Sequence, residues 1–198
     1  MEVTILCETG YALALRGMAY SFKDRAEDVE AWWLEKHDRA IARAPLLASM
    51  DGGHNKFLES MVVWIDIEAS RAFWSEFDTY RAGVTKQSES TMHTLSKRPP
   101  SRADFEEGTS EAIIEVFARI WQQAKGDINV LKMNLPEGFL QRRLVCTNYK
   151  ALRNIVAQRR NHRLKAWSVF CEALREQLIY PEFVDLPRAV TESEGGEL

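Results

Sequence analysis

The stretch Met61-Val62-Val63-Trp64-Ile65-Asp66-Ile67-Glu68 sets Met61, Val63, Ile65 and Ile67 against Val62, Trp64, Asp66 and Glu68. Strict alternation over eight residues predicts a strand, the clearest in the chain. Upstream, Asp51-Gly52-Gly53 breaks the chain. Before that break, residues 24–48 carry Val29, Trp32, Trp33 and Ile41 among charges, the pattern of a helix with one apolar side, and residues 3–6 form a short aliphatic run that predicts a first strand. Downstream, Ser70 is a fitting N-cap for a helix that buries Phe73 and Phe77 and runs toward Arg81, where Gly83 loosens it. The polar residues 85–90 then read as a loop.

Pro99 and Pro100 end the next segment, and the polar residues 101–110 connect it to a helix over 112–124 with Ile113, Val116, Phe117 and Ile120 on one face. Gly126-Asp127 stops that helix, and residues 130–135 lead into Pro136 and Gly138. Asn148 is a natural N-cap for the last block, in which Leu152, Ile155 and Val156 form one stripe and Leu164, Trp167, Cys171, Leu174 and Leu178 another, before Pro181. Neither a repeat nor a dividing linker interrupts the pattern, so a single helix-rich α+β domain is expected over 1–183. The remaining 184–198, whose last eight residues are acidic and nearly free of apolar side chains, are expected to form a flexible tail.

Composition narrows the function classes. The 198 residues are 45% hydrophobic and 28% charged, enough to close one core, which excludes disorder, collagen-like repeats and a disulfide scaffold. With 26 Lys plus Arg against 29 Asp plus Glu, the net charge of −3 argues against a surface built to coat nucleic acid and makes any anion affinity local. Cys7, Cys146 and Cys171 are far apart and show no CxxC spacing, and His37, His54, His93 and His162 show no HxxxH. These spacings predict reduced thiols in the cytoplasm and no metal site. No window reaches the roughly 20 apolar residues of a membrane span, and residues 1–10 lack a basic leader segment. GxSxG, P-loop and GxGxxG motifs are all missing.

The most informative charge feature lies late. From Gly138 to Cys171 there is no acid, while Arg142, Arg143, Lys150, Arg153, Arg159, Arg160, Arg163 and Lys165 place eight cations there. On a helix Lys150 and Asn154, or Arg159 and Arg163, are four apart and share a side, from which guanidinium groups grip phosphate in a fork. A phosphorylated ligand is one reading; a solvated basic face that pairs with acidic elements is the other. Residues 81–91 crowd hydroxyls, an amide and charges next to Gly83, the composition either of a ligand-binding loop or of a polar turn.

In order along the chain, His54 with Glu59, the strand 61–68, Thr79-Tyr80-Arg81, Lys86-Gln87-Ser88, Lys132-Met133-Asn134-Leu135-Pro136 and residues 148–159 resemble the flavin-dependent thymidylate synthases, the ThyX family. The resemblance covers about residues 3–181. The family signature, Arg-His-Arg with a serine eight places on, is matched by Thr79-Tyr80-Arg81 and then Glu89, flanked by Ser88 and Ser90, so only the second arginine stands in register.

The resemblance implies a ThyX-like fold with a small antiparallel sheet and shared sites in a homotetramer. It implies FAD as cofactor, with methylene-tetrahydrofolate and NADPH as co-substrates. It places His54, Glu59, Arg81, Asn148, Lys150 and Asn154 at the flavin. Gln87, Ser88, Ser90, Lys132 and Arg159 fall at a pyrimidine deoxynucleoside monophosphate, with Arg159 as the cation that polarises the base. The implied activity is methylation or hydroxymethylation of the pyrimidine at C5. The altered signature supports an alternative, a catalytically inactive ThyX-like protein that binds nucleotide or serves assembly. Nucleic-acid binding through residues 142–165 is a third reading, recognised by a steep loss of affinity with salt.

Overall fold

In the computed structural model, which describes residues 1–50 and 53–184, the alternating stretch becomes β2 (Val62–Ser70). Val63, Ile65 and Ile67 are fully buried, and Val62, Trp64, Asp66 and Glu68 are half-buried on the other face. β2 lies between β1 (Glu2–Thr9) and β4 (Leu140–Asn148), and β4 pairs in turn with β3 (Thr85–Ser88). Among the described residues this makes one four-stranded antiparallel sheet of order β1-β2-β4-β3. Between β1 and β2 come α1 (Tyr11–Ala19) and α2 (Val29–Ser49), and α3 (Arg71–Phe77) follows β2. α4 (Thr91–Thr94), α5 (Glu111–Ala124) and α6 (Ile128–Met133) separate β3 from β4, and α7 (Tyr149–Arg159) and α8 (Lys165–Gln177) close the chain. The architecture is helix-rich α+β with a small antiparallel sheet, as expected.

The sheet is dry on one side. Phe73 and Phe77 of α3, Leu152 and Ile155 of α7, and Trp167 and Phe170 of α8 join Val63, Ile65 and Ile67 in one core, so burial of the β2 stripe fixes which face the helices cover. On the open face Arg142 of β4 donates to Glu68 and Asp66 of β2 at 3.3 and 3.4 Å and to Glu2 of β1 at 3.0 Å. A smaller core under α5 and α6, built on Phe105, Ile114, Phe117 and Leu131, stands apart from the first.

Several elements depart from the sequence reading. Residues 85–88 are an edge strand, not a loop: Thr85 to Ser88 pair with Cys146 to Arg143, and the backbone ladder needs no apolar alternation when the side chains face solvent. In α5, Phe117 is buried as expected, but Ile113 and Val116 are about half exposed and Ile114 is buried instead. In α2 the buried stripe is Trp32, Ala40, Ala44 and Ala48, while Val29 and Ile41 look outward, because alanines let the neighbouring elements approach closely. Of the expected tail, Val184 is buried against the core, and residues 185–198 lie outside the described residues. No helix among the described residues is long and apolar enough to cross a membrane.

Candidate functional site

Asn148 ends β4 and starts α7: its side chain accepts from the Ala151 N–H at 2.9 Å, and the next N–H, of Tyr149, reaches the Met61 carbonyl at 3.0 Å. That cap aims α7 along the segment 79–83 that follows α3. At one end of the segment Gly83 holds a left-handed φ of 69°, and a Cβ there would stand 2.8 Å from Asn148 Nδ2, so glycine is required by both conformation and space. Thr147 Oγ1 donates to the Gly83 carbonyl at 3.0 Å. At the other end Tyr80 Oη donates to Gln158 Oε1 at 3.0 Å.

Arg159, in the last turn of α7, is caged. Its Nε donates to Tyr80 Oη and its Nη1 to Glu76 Oε2, both at 2.8 Å, and its guanidinium lies 4.7 Å from the Trp167 ring centre and 5.5 Å from that of Tyr80. Glu76 Oε2 also accepts from Trp167 Nε1 at 2.7 Å and faces His162 Nε2 at 3.5 Å. Because His162 Nδ1 accepts from the Leu164 N–H at 3.2 Å, the ring proton resides on Nε2 and points to the carboxylate. The Arg159 side chain retains 18% of its exposure, and among the described residues its Nη2 has no hydrogen-bond partner. One edge of the cation is therefore fixed and the other is open to a ligand carbonyl or ring nitrogen.

Of the residues assigned to flavin, Lys150 and Asn154 lie on the same helix and Asn148 caps it, while Glu59, His54 and Arg81 come from other segments. Lys150 Nζ binds Glu59 Oε1 at 2.5 Å, and that hydrogen bond draws the Glu59 carboxyl below its ordinary range. Asn154, one turn on, and Arg81, in the neighbouring segment, are exposed and carry no side-chain partner among the described residues. The Asn148 oxygen is committed to its cap, leaving its amide N–H groups beside Gly83. His54 lines a cavity of about 610 Å³ with Phe57 and Ser60, next to the short helical piece that bears Glu59.

The residues assigned to phosphate fall into two places. Lys132, from α6, donates to Thr91 Oγ1 at 3.0 Å, beside Ser90, whose carbonyl accepts from the His93 and Thr94 N–H groups at 3.0 and 3.1 Å. Gln87 and Ser88 stand on edge strand β3 opposite Leu144 and Arg143. Lys86, between the two ends of the site, donates to the Tyr80 carbonyl at 3.1 Å and pairs with Asp78 at 3.1 Å, and Arg143 meets the same carboxylate at 3.0 Å while stacking 4.3 Å from the Trp74 ring. Burial opposes ionisation of Asp78, but the hydrogen bonds from Lys86 and Arg143 outweigh it and hold its carboxyl below the ordinary range. The acid-free run thus finds its acids elsewhere in the chain, Arg142 at the open sheet face, Arg143 at Asp78, Lys150 at Glu59 and Arg159 at Glu76.

Crystal structures of the thymidylate synthase ThyX from Helicobacter pylori, complexed with FAD and dUMP, superpose on this chain with a TM-score of 0.69, covering 93% of it and 97–98% of theirs. The fold is that of ThyX. Sequence identity over that match is 16%, and neither a family profile nor a curated protein sequence matches the chain. Tyr80, which the sequence resemblance set against the central position of the family signature, is tied to Arg159. Of the residues that complete the cage, Glu76 was not named from sequence, and Trp167 and His162 were read there only as a core residue and a non-ligating histidine; the one signal for Glu76 is its place four residues before Tyr80.

Proposed function

We propose that the protein is a FAD-dependent enzyme that transfers a one-carbon unit from methylene-tetrahydrofolate to C5 of a pyrimidine deoxynucleoside monophosphate, as a methyl or hydroxymethyl group. The observation that carries the reading is a caged cation with an uncommitted Nη2, Arg159 in the last turn of α7, on the helix whose earlier turns bear Lys150 and the exposed Asn154. The likeness to a ThyX bound to FAD and dUMP supports it from the fold. The donor set suits a flavin nucleotide: the exposed Arg81 guanidinium and Asn154 amide are uncommitted among the described residues, and the close approach at Gly83 leaves Asn148 amide N–H groups beside it. When bound, reduced flavin supplies a hydride.

C5 of the pyrimidine becomes nucleophilic as negative charge builds on the ring carbonyls and N3, and Arg159 Nη2 would stabilise that charge. Glu76 and Tyr80 hold the guanidinium in one orientation, so no rearrangement is needed as charge develops. Lys132, Ser88 and Ser90 hold the phosphate, and Gln87, an amide that both donates and accepts, reads the nucleotide. The folate methylene would bond to C5 as its bonds to the folate nitrogens break, the C5 proton would leave to solvent, and addition of hydride or of hydroxide from water to that carbon would give the methyl or the hydroxymethyl product, with tetrahydrofolate released. NADPH would supply the reducing equivalents. The exposure of Arg81 and Asn154 in one protomer supports a homotetramer whose sites are closed by neighbouring copies, and the thiol pattern supports a cytoplasmic enzyme.

One observation favours the second reading, a nucleotide-binding or assembly protein without turnover: Glu76 sets a carboxylate against the one cation able to activate the base, and the pair is locally neutral. Release of tritium from C5-labelled dUMP or dCMP, in the presence of FAD, a reductant and methylene-tetrahydrofolate, separates them. Tritium release is expected from one of the two nucleotides. Binding of nucleotide with no release from either contradicts the catalytic reading.

A further inference from the structure

We propose that the groove between α1 and α2 binds the oligoglutamate tail of the folate co-substrate, its carboxylates meeting Lys36, Arg39 and Arg43; the inference rests on the folate-dependent reading above. The three cations recur at i, i+3 and i+7 on α2 and so stand in one row, separated by rises of about 4.5 and 6 Å along the helix axis. They rim a concavity of about 300 Å³ whose floor is Trp32, Ala40 and Met18 and whose wall is Phe22, a ring left 71% exposed. The acids of α2 point elsewhere or are engaged: Glu30 binds Arg16 and Asp38 contacts His37. Glu35 takes Lys36 at 2.5 Å, but among the described residues neither Arg39 nor Arg43 has a carboxylate partner, and Arg43 lies over the Phe22 ring at 5.5 Å.

Two unopposed guanidinium groups over an aromatic and aliphatic floor are the complement of an anion with an apolar body. Free carboxylate or phosphate would satisfy the cations and leave Phe22 bare; a hydrocarbon would do the reverse. The groove also has a direction. Met18, Phe22 and Leu47 are shared with the 610 Å³ cavity that holds His54, so one trough runs from His54 past Phe22 to Arg43, Arg39 and Lys36. A p-aminobenzoyl oligoglutamate has that order of chemistry: an aryl ring first, then a chain with a carboxylate on every γ-linked residue. His54 at the flavin side would set the pterin end, and the cationic row would take the tail.

Calorimetry on the full chain loaded with FAD, using p-aminobenzoyl-glutamate and p-aminobenzoyl-triglutamate as probes, tests the assignment. The triglutamate is expected to bind about tenfold more tightly at low salt, a gain that shrinks as ionic strength rises. The double variant R39Q/R43Q, at exposed positions, is expected to erase the gain, whereas Arg119→Gln on α5 preserves it. Phe22→Ser is expected to weaken both probes equally, because it removes the aryl contact and no charge. Equal affinity for the two probes in the unsubstituted protein, or a gain that survives R39Q/R43Q, overturns the proposal. A gain without C5 tritium release supports the groove and rejects the catalytic reading; tritium release with equal affinities rejects the groove alone.

Discussion

In Arg159→Ala the dissociation constant for dUMP is expected to rise about a hundredfold, because a charge-assisted contact is lost and its partner anion stays behind. Glu76 keeps its hydrogen bond from Trp167 and, without the guanidinium, presents an uncompensated carboxylate where the nucleotide must approach. Arg163→Ala removes the same charge four residues on, from an exposed side chain with no ion pair among the described residues, and is expected to change the constant less than about twofold. The contrast separates a specific cation from a general basic surface. Calorimetry on FAD-loaded protein measures both, and equal losses in the two variants contradict the role given to Arg159.

The largest loss of stability is expected from Trp167→Ala, at about 3–5 kcal/mol. The indole is fully buried, its ring centre lies 4.7 Å from that of Phe73 and 5.9 Å from that of Phe170, and it stacks on Phe77 at 6.0 Å with an interplanar angle of 14°. Truncation therefore opens a cavity where α3, α7 and α8 meet, and it also removes the N–H that fixes Glu76. Trp167→Phe keeps most of the ring but drops that donor, for a loss of about 1 kcal/mol from the hydrogen bond. Urea unfolding followed by circular dichroism measures both. A loss under about 1 kcal/mol in the alanine variant would show that the cage is not built on this core.

What the sequence made legible follows from how local the causes are. The β2 stripe, the Asn148 cap and the α7 and α8 stripes are written in neighbouring residues, because burial against a single partner face imposes a period that survives in the text. β4 was not readable. Its Arg142 and Arg143 look like solvent-facing charges until Glu2, Asp66, Glu68 and Asp78, all more than sixty residues away, supply their counter-ions. β3 was hidden for another reason: as a four-residue edge it is specified by backbone pairing with β4 and buries little. The same distinction divides the site. Lys150 and Asn154 were expected one turn apart on a helix behind the Asn148 cap, and they are; Arg159 and Arg163 were expected to share a helix side, but α7 ends at Arg159 and Arg163 lies in the connection to α8. The cage around Arg159 draws Glu76 and Tyr80 from around α3 and Trp167 from α8, and such long-range pairing leaves no periodic trace.

The central claim is that the open face of α7 with the segment 79–83 receives a flavin. The absorption spectrum between about 300 and 500 nm, recorded during titration with FAD and again for Asn154→Leu, tests it directly. The account predicts a saturable change in the flavin bands with the unsubstituted protein and markedly weaker binding in the variant, whose leucine preserves the helix. A spectrum identical to that of free FAD at every protein concentration, or equal binding by the two proteins, would contradict it.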